Sequence, residues 1–314
     1  MSFTDTVKEE LIHQECSREC CALAEICAAL LLGGGIAFRG RGRYGLSLTV
    51  NRVSASRYYF TLIKKYLGVS CQVRTLSAES LARGSQVELS FPEEAVLEVM
   101  RRLCLLDDTQ LFGVARTPDA AIVENPCCRA AFLKSAFIIT GYISNPEKEY
   151  SLSLSCTSLD CANALADIMH SMDISAGVST RRKSYVVYAK DMESLSVFLT
   201  LTGAHSARLA LENARIVKQL RNSTNRLTNC DNNNIERTVR TAQQQMEDIR
   251  FLAERVGFDR LPIWAREIAS LRLENPEASL TELGALCDPP LAKSGVNSRL
   301  RRLSEMARQL REGN

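Results

Sequence analysis

The stretch Cys127–Ile143, CCRAAFLKSAFIITGYI, decides how the chain is read. From Cys127 to Ile139 it is apolar on nearly every face at helical spacing, and a helix with no polar side belongs in the middle of a domain. It ends at Thr140-Gly141, and an extended run follows. The same order stands earlier in the chain: Glu19–Leu32, ECCALAEICAALLL, is a second all-round apolar helix, and it runs into Gly33-Gly34-Gly35.

Reading outward, both helices are followed by the same series of elements. The first leads to strands at Ile36–Arg39 and Tyr44–Asn51 joined by RGRGR, a helix at Ser54–Leu67, strands at Ser70–Leu76 and Gln86–Phe91, and a helix at Glu93–Leu103. After a break at Thr117–Pro126, the second leads to strands at Tyr142–Ser144 and Tyr150–Cys156, a helix at Ser158–Met172, strands at Ala176–Arg181 and Tyr185–Lys190, and a helix at Met192–Leu201. Gly35-Ile36 stands 106 positions before Gly141-Tyr142, and YLGVSCQV lies 105 before SMDISAGV, so the register supports a duplication. A short polar helix within residues 1–15 precedes the first copy. The expected fold class is α+β: a duplicated αββαββα domain over residues 1–208, with repeats at about 16–115 and 126–208.

The C-terminal run SLTELGALCDPPLAKSGVNSRLRRL, Ser279–Leu303, has a different character. Ser279 and Glu282 form a capping-box start, Leu280, Leu283 and Leu286 recur at helical spacing, and Asp288-Pro289-Pro290 stops the helix. A second helix starts near Lys293 with Val296, Leu300, Leu303 and Leu310 on its buried stripe. Lys293, Ser294, Asn297, Ser298, Arg301 and Arg302 fall on the other face, the donors and cations that read base edges and hold phosphates. Between Leu291 and Arg311 six cations stand against one acid, Glu305, and Arg299 is expected to join the other six residues as a DNA contact of this helix. This pattern fits a helix-turn-helix whose second helix enters a major groove; it equally fits two ordinary amphipathic helices with a solvated face. The domain is expected to span residues 256–314, opened by a helix at Phe258–Leu273 with Leu261, Trp264, Ile268 and Leu271 on its core face.

Residues 209–255 form the connection, helical except at RNSTNRLTNCDNNN, where Asn232, Asn233 or Asn234 would cap the next helix. Arg215, Lys218, Arg221 and Arg226 make it basic, either as DNA contacts or as the solvated face of a hinge. Arg39, Arg41 and Arg43 in the first hairpin and Arg181, Arg182 and Lys183 in the second occupy comparable turns, where phosphate contacts and merely tolerated surface charge both belong.

Three stretches carry a family resemblance: CCRAAFLKSAFIITGYISNPEKEY, GAHSARLALENARIVKQLRNSTNRLTNCDNNNIERTV and the Ser279–Leu303 run. The duplicated unit resembles the LAGLIDADG homing-endonuclease fold, and together with the helix-turn-helix the chain is similar to the WhiA family of bacterial sporulation regulators. The resemblance implies two four-stranded sheets forming a saddle, with the two apolar helices packed across a pseudo-two-fold axis where Ala28, Ala29, Gly33, Ser135 and Ala136 let the backbones approach. It places the nuclease's metal-binding acids at Gly34 and Thr140, neither of which has a carboxylate, so an inactive, non-enzymatic domain is expected. It also implies transcription control of sporulation, or of cell division and chromosome segregation, with promoter DNA as partner. An adaptor recruiting another transcription factor or RNA polymerase is the alternative, and a residual metal-dependent endonuclease a weaker one.

Composition bounds these readings. The chain has 314 residues and a net charge of +3, which excludes a histone-like polycation and leaves nucleic-acid binding to local patches. It has no apolar run long enough for a membrane span and no signal-peptide core, so a cytoplasmic, nucleoid-associated protein without membrane partner is expected. Walker, GxSxG and HExxH motifs are absent, and no cofactor is indicated. The 12 cysteines show no CxxC pair; most sit in apolar runs as small hydrophobes. The nearest approach to a metal set is Cys16, Cys20 and Cys21 beside His13, without the paired spacing of structural zinc sites. His205 is expected to make a helix-start contact.

Overall fold

A computed structural model of the chain describes residues 2–38, 43–76, 86–107, 113–182 and 184–313. The chain divides into two compact units, Met1–Lys218 and Gln219–Asn314.

The first unit opens with α1 (Phe3–Ile12), capped by Ser2, whose Oγ accepts from Asp5 N while its own N–H donates to the Asp5 carboxylate. The first repeat follows as α2 (Glu19–Gly33), β1 (Gly34–Phe38), β2 (Tyr44–Val50), α3 (Val53–Leu67), β3 (Gln72–Leu76), β4 (Gln86–Ser90) and α4 (Glu93–Arg102). Two short strands, β5 (Leu106–Asp107) and β6 (Gly113–Val114), pair between the repeats, a feature the sequence pattern did not foreshadow. The second repeat is α5 (Pro126–Thr140), β7 (Gly141–Ile143), β8 (Leu152–Cys156), α6 (Leu159–His170), β9 (Gly177–Arg181), β10 (Ser184–Ala189) and α7 (Met192–Thr202).

Each repeat builds one antiparallel four-stranded sheet, ordered β1-β2-β4-β3 and β7-β8-β10-β9. The strands alternate as a half-buried sheet must: Tyr44, Leu46, Leu48 and Val50 are buried along β2, and Leu152, Leu154 and Cys156 along β8. The duplication is therefore structural, and its register is now fixed. α2 begins at Glu19 and α5 at Pro126, 107 positions later, and each ends where a glycine opens the next strand.

α2 and α5 are the most extensively packed pair of elements in the chain. Ala28, Ala29, Ser135 and Ala136 are fully buried, so little side-chain volume separates the two backbones. The chain leaves both helices through glycines at tight exits. A Cβ on Gly34 would stand 2.2 Å from Leu30 O, and one on Gly141 would stand 2.6 Å from Phe137 O. α1 touches both repeats: Thr4 Oγ1 donates to Ile143 O at 2.6 Å, while Arg52 pairs with Asp5 and, at 3.2 Å, with Glu9.

The seam also buries charge. Lys134 Nζ lies 3.2 Å from Glu25 Oε1 and 2.8 Å from Tyr58 OH, and Tyr58 donates to the other Glu25 oxygen. Burial pushes the Glu25 carboxyl above the usual carboxylate range, an effect opposed by the Lys134 charge and the Tyr58 hydrogen bond. Ser135 Oγ donates to Glu25 O at 2.7 Å, and Tyr59 OH meets the same hydroxyl at 2.7 Å.

The long helix α8 (His205–Val256) crosses the unit boundary. It runs unbroken through RNSTNRLTNCDNNN, so the expected interruption does not occur, and Asn232, Asn233 and Asn234 lie within the helix rather than capping one. No glycine or proline stands between His205 and Val256. Asparagine costs a helix only about 0.7 kcal/mol relative to alanine, which neighbouring good formers outweigh. Gly257, at φ +93°, ends the helix. The second unit continues with a 3-10 turn at Phe258–Arg260, then α9 (Ile263–Glu274), α10 (Leu280–Leu286) and α11 (Lys293–Glu312). The helix expected over Phe258–Leu273 thus starts only after Pro262. No helix of the described residues is long and apolar enough to cross a membrane.

The buried ion pair yields a test in the full chain. All eight tyrosines lie in the first unit and the single tryptophan, Trp264, in the second, so tyrosine near-ultraviolet dichroism and tryptophan fluorescence report the two units separately. Lys134→Ala is expected to lower the stability read from the tyrosines by about 3–5 kcal/mol, because it leaves Glu25 buried without its partner. The double change Glu25→Leu, Lys134→Met is expected to recover most of that loss in urea unfolding. A Lys134→Ala loss below about 1 kcal/mol would contradict the assignment.

Candidate nucleic-acid interface

The C-terminal unit is built to hold α11 by one face. Ser279 caps α10: its Oγ accepts from Glu282 N at 3.3 Å and its N–H donates to Glu282 Oε2 at 2.7 Å, which holds the Glu282 carboxyl below its ordinary range. After α10 the chain turns through Cys287 and a cis Asp288-Pro289 bond, and Leu291 N returns to Gly284 O at 2.9 Å. The turn lies so close to α10 that a Cβ on Gly284 would stand 2.1 Å from Leu291 O. Glu267 of α9 fastens both sides of the turn, accepting from Asp288 N at 2.7 Å and pairing with Arg299 at 3.3 Å.

Val296, Leu300, Leu303 and Ala307 form the buried stripe of α11, in one core with Leu283 of α10, Ala265, Ile268 and Ala269 of α9, and Ile249 and Leu252 of α8. At its far end, Arg311 donates at 2.7 Å to the buried carboxylate of Asp248. Two residues assigned to buried stripes from periodicity lie outside: Leu286 and Leu310 are exposed, because the turn leaves after Leu286 and α11 runs past the end of the core. Leu261 and Ile268 are buried, while Trp264 and Leu271 are only partly covered.

The opposite face carries Lys293, Ser294, Asn297, Ser298, Arg301 and Arg302, all exposed. No acid interrupts it before Glu305. The Arg302 guanidinium stands over the Trp264 ring, 4.5 Å from its centroid, so one of these cations is already oriented by the scaffold. Arg299 stands apart from this set, being half-buried and held by Glu267.

The cations assigned to turns divide differently. Arg39, Arg41 and Lys183 lie outside the described residues. Arg43 is exposed and pairs with Glu93 at 3.5 Å, and Arg181 and Arg182 are exposed at the β9–β10 turn. On α8, Arg221 and Arg226 are exposed, Arg215 pairs with Glu212 at 3.8 Å, and Lys218 Nζ sits 4.3 Å from the Tyr150 ring centroid while donating to Lys148 O.

The positions matched to the nuclease acids, Gly34 and Thr140, fall out of step by one residue under the observed register. With a helix register of 107, Thr140 corresponds to Gly33 and Gly34 to Gly141, so Gly34 and Thr140 are not equivalent positions. None of the four has a carboxylate.

The group that came nearest to a metal set in the sequence, Cys16, Cys20 and Cys21 beside His13, separates in the fold. Cys16 Sγ bonds to Arg18 O and His13 Nδ1 to Glu9 O, whereas Cys20 and Cys21 meet Cys127 and Cys128 from the other repeat. The signal for this was present in the sequence: two Cys-Cys pairs separated by nearly the repeat length.

Three regions match described domains: residues 19–106 the WhiA N-terminal LAGLIDADG-like domain, residues 129–221 the WhiA LAGLIDADG-like domain, and residues 224–307 the WhiA C-terminal helix-turn-helix domain. The chain is 40% identical over 310 residues to the probable cell division protein WhiA of Heliobacterium modesticaldum, covering 98% of this chain and 96% of that one. It belongs to the WhiA family. The WhiA of Desulforamulus reducens, also described as a probable cell division protein, is 36% identical, covering 100% and 97% of the two chains. The crystal structure of full-length WhiA from Thermotoga maritima shares the fold at a TM-score of 0.59, with 22% identity and coverage of 98% and 99%.

In this WhiA-family chain Gly284 is the residue that periodicity overlooked, since a lone glycine in a helical pattern reads as a mild defect. Gly284→Ala is expected to destabilise the second unit by about 1–3 kcal/mol through overpacking, read as an earlier urea midpoint of Trp264 fluorescence with the tyrosine signal unmoved. An unchanged midpoint would show that the turn has room.

Proposed function

We propose that the chain is a sequence-specific double-stranded DNA-binding regulator of transcription acting in cell division and, in spore-forming hosts, in sporulation. The observation that carries this reading is the exposed face of α11. Lys293, Ser294, Asn297, Ser298, Arg301 and Arg302 project from a helix whose other face is locked by Val296, Leu300, Leu303 and Ala307.

A recognition helix needs this combination. Cations lower the cost of approaching the phosphates, and the short amide and hydroxyl side chains can match donors and acceptors on base edges. In this reading Asn297, Ser298 and Arg301 read bases, Lys293 and Ser294 hold backbone at the helix start, and Arg302, placed by Trp264, contacts phosphate. Arg299 contributes by fixing α11 through Glu267. Arg43, Arg181, Arg182, Arg221 and Arg226 supply further phosphate contacts. The LAGLIDADG-like unit serves as a non-cutting scaffold, since the helix ends at Gly33, Gly34, Thr140 and Gly141 supply no carboxylate to hold a catalytic metal.

The test is binding of the full chain to genomic promoter fragments at two salt concentrations with magnesium present. Lys293→Ala is expected to weaken binding to every fragment and to reduce the salt slope by about one. Asn297→Ala is expected to compress the difference between specific and random fragments by about 1–3 kcal/mol. Binding insensitive to both changes would point to an adaptor that recruits another transcription factor or RNA polymerase, and a cut product would point to a nuclease.

A further inference from the structure

We propose that Cys20, Cys21, Cys127 and Cys128 bind one zinc ion that clips the two repeats together at the head of the α2–α5 seam. Their four sulfurs all lie within 4.8 Å of one another. Within each pair the Sγ–Sγ distance is 4.0 Å. A tetrahedral centre with Zn–S bonds of about 2.3 Å sets its sulfurs about 3.8 Å apart. The thiols therefore need to close in by at most about one ångström, a change within reach of side-chain rotation.

The placement is built by the fold. Cys20 and Cys21 are the second and third residues of α2, and Cys127 and Cys128 the second and third of α5. The pairs occupy equivalent positions of the two repeats, and the packing of α2 on α5 brings their first turns together. Cys20 is exposed while Cys128 is buried, which gives an ion a route in and a partly dry site once there.

Chemistry selects the ion. Four thiolates are a soft donor set suited to zinc and unsuited to magnesium or calcium. Sulfurs this close surround a single ion, whereas a cluster of several irons needs its ligands spread around a larger body. Binding releases the thiol protons to solvent and changes no oxidation state. Since each repeat supplies two ligands, zinc affinity becomes stability of the seam, and the ion acts as a structural clip in a closed site without an open position for catalysis.

The experiment uses the full chain, with any tag removed, purified under reductant and without chelator. Elemental analysis is expected to give about one zinc per chain. Cobalt added to chelator-stripped protein is expected to produce the thiolate charge-transfer and intense d–d bands of a tetrahedral four-sulfur site, and zinc should abolish them. Cys20→Ser with Cys21→Ser, and separately Cys127→Ser with Cys128→Ser, should each remove the metal, while Cys16→Ser should keep it. Chelation should lower the tyrosine-reported melting temperature by about 5 °C or more and leave the Trp264 transition in place. A wild-type chain with no zinc above the buffer blank and no cobalt–thiolate band would overturn the proposal without recourse to any variant. So would iron with acid-labile sulfide, a disulfide among these cysteines, or zinc retained in both double variants.

Discussion

The close approach of α2 and α5 is the constraint on which the first unit depends. Two helices can share a seam this intimately only where side chains are small, and Ala28, Ala29, Ser135 and Ala136 meet that condition. The backbone polar groups and the ion pair enclosed there must then satisfy each other. Ser135 does so by bonding to Glu25 O, and Lys134 by reaching Glu25 and Tyr58. The glycine exits at Gly34 and Gly141 turn each helix directly into the first strand of its own sheet, so the sheets are placed by the seam rather than by their loops.

The second unit solves a different problem, holding a helix with one polar face by its other face and both its ends. α11 is gripped along Val296, Leu300, Leu303 and Ala307, at its start by Arg299 through Glu267, and at its end by Arg311 through Asp248. The cations of α11 therefore have two kinds of work. Arg299 and Arg311 are used internally, and Lys293 and Arg301 remain on the surface. Charge counting treats all of them alike, because it sees the residue type and not the partner.

Most of the architecture was legible because it rests on periodicity and repetition. All-round apolar helices, alternating strands and a register near 106 are one-dimensional signals, and the observed elements follow them to within a few residues. What failed to show did so for several physical reasons. Asn232–Asn234 look like helix caps in isolation, but nothing there stops a helix lacking glycine and proline. Leu286 and Leu310 have the right spacing for burial, yet both remain exposed. The meeting of Cys20 and Cys21 with Cys127 and Cys128 needed the repeat register to be applied to the cysteines themselves. On the exposed face of α11, residue types and orientation were legible, while the bases they would face leave no mark on this chain.

The charge pair at the seam has no counterpart under the repeat. With α2 and α5 offset by 107 positions, the counterpart of Glu25 is Phe132, and the counterpart of Lys134 is Cys27. Two copies of α2 laid against each other would bury glutamates with no cation, and two copies of α5 would bury lysines with no acid; both are costly. The halves are thus keyed as unlike partners. Either helix set against a copy of itself would enclose charge of a single sign, so the repeated sequence carries at its centre a term that disfavours self-pairing.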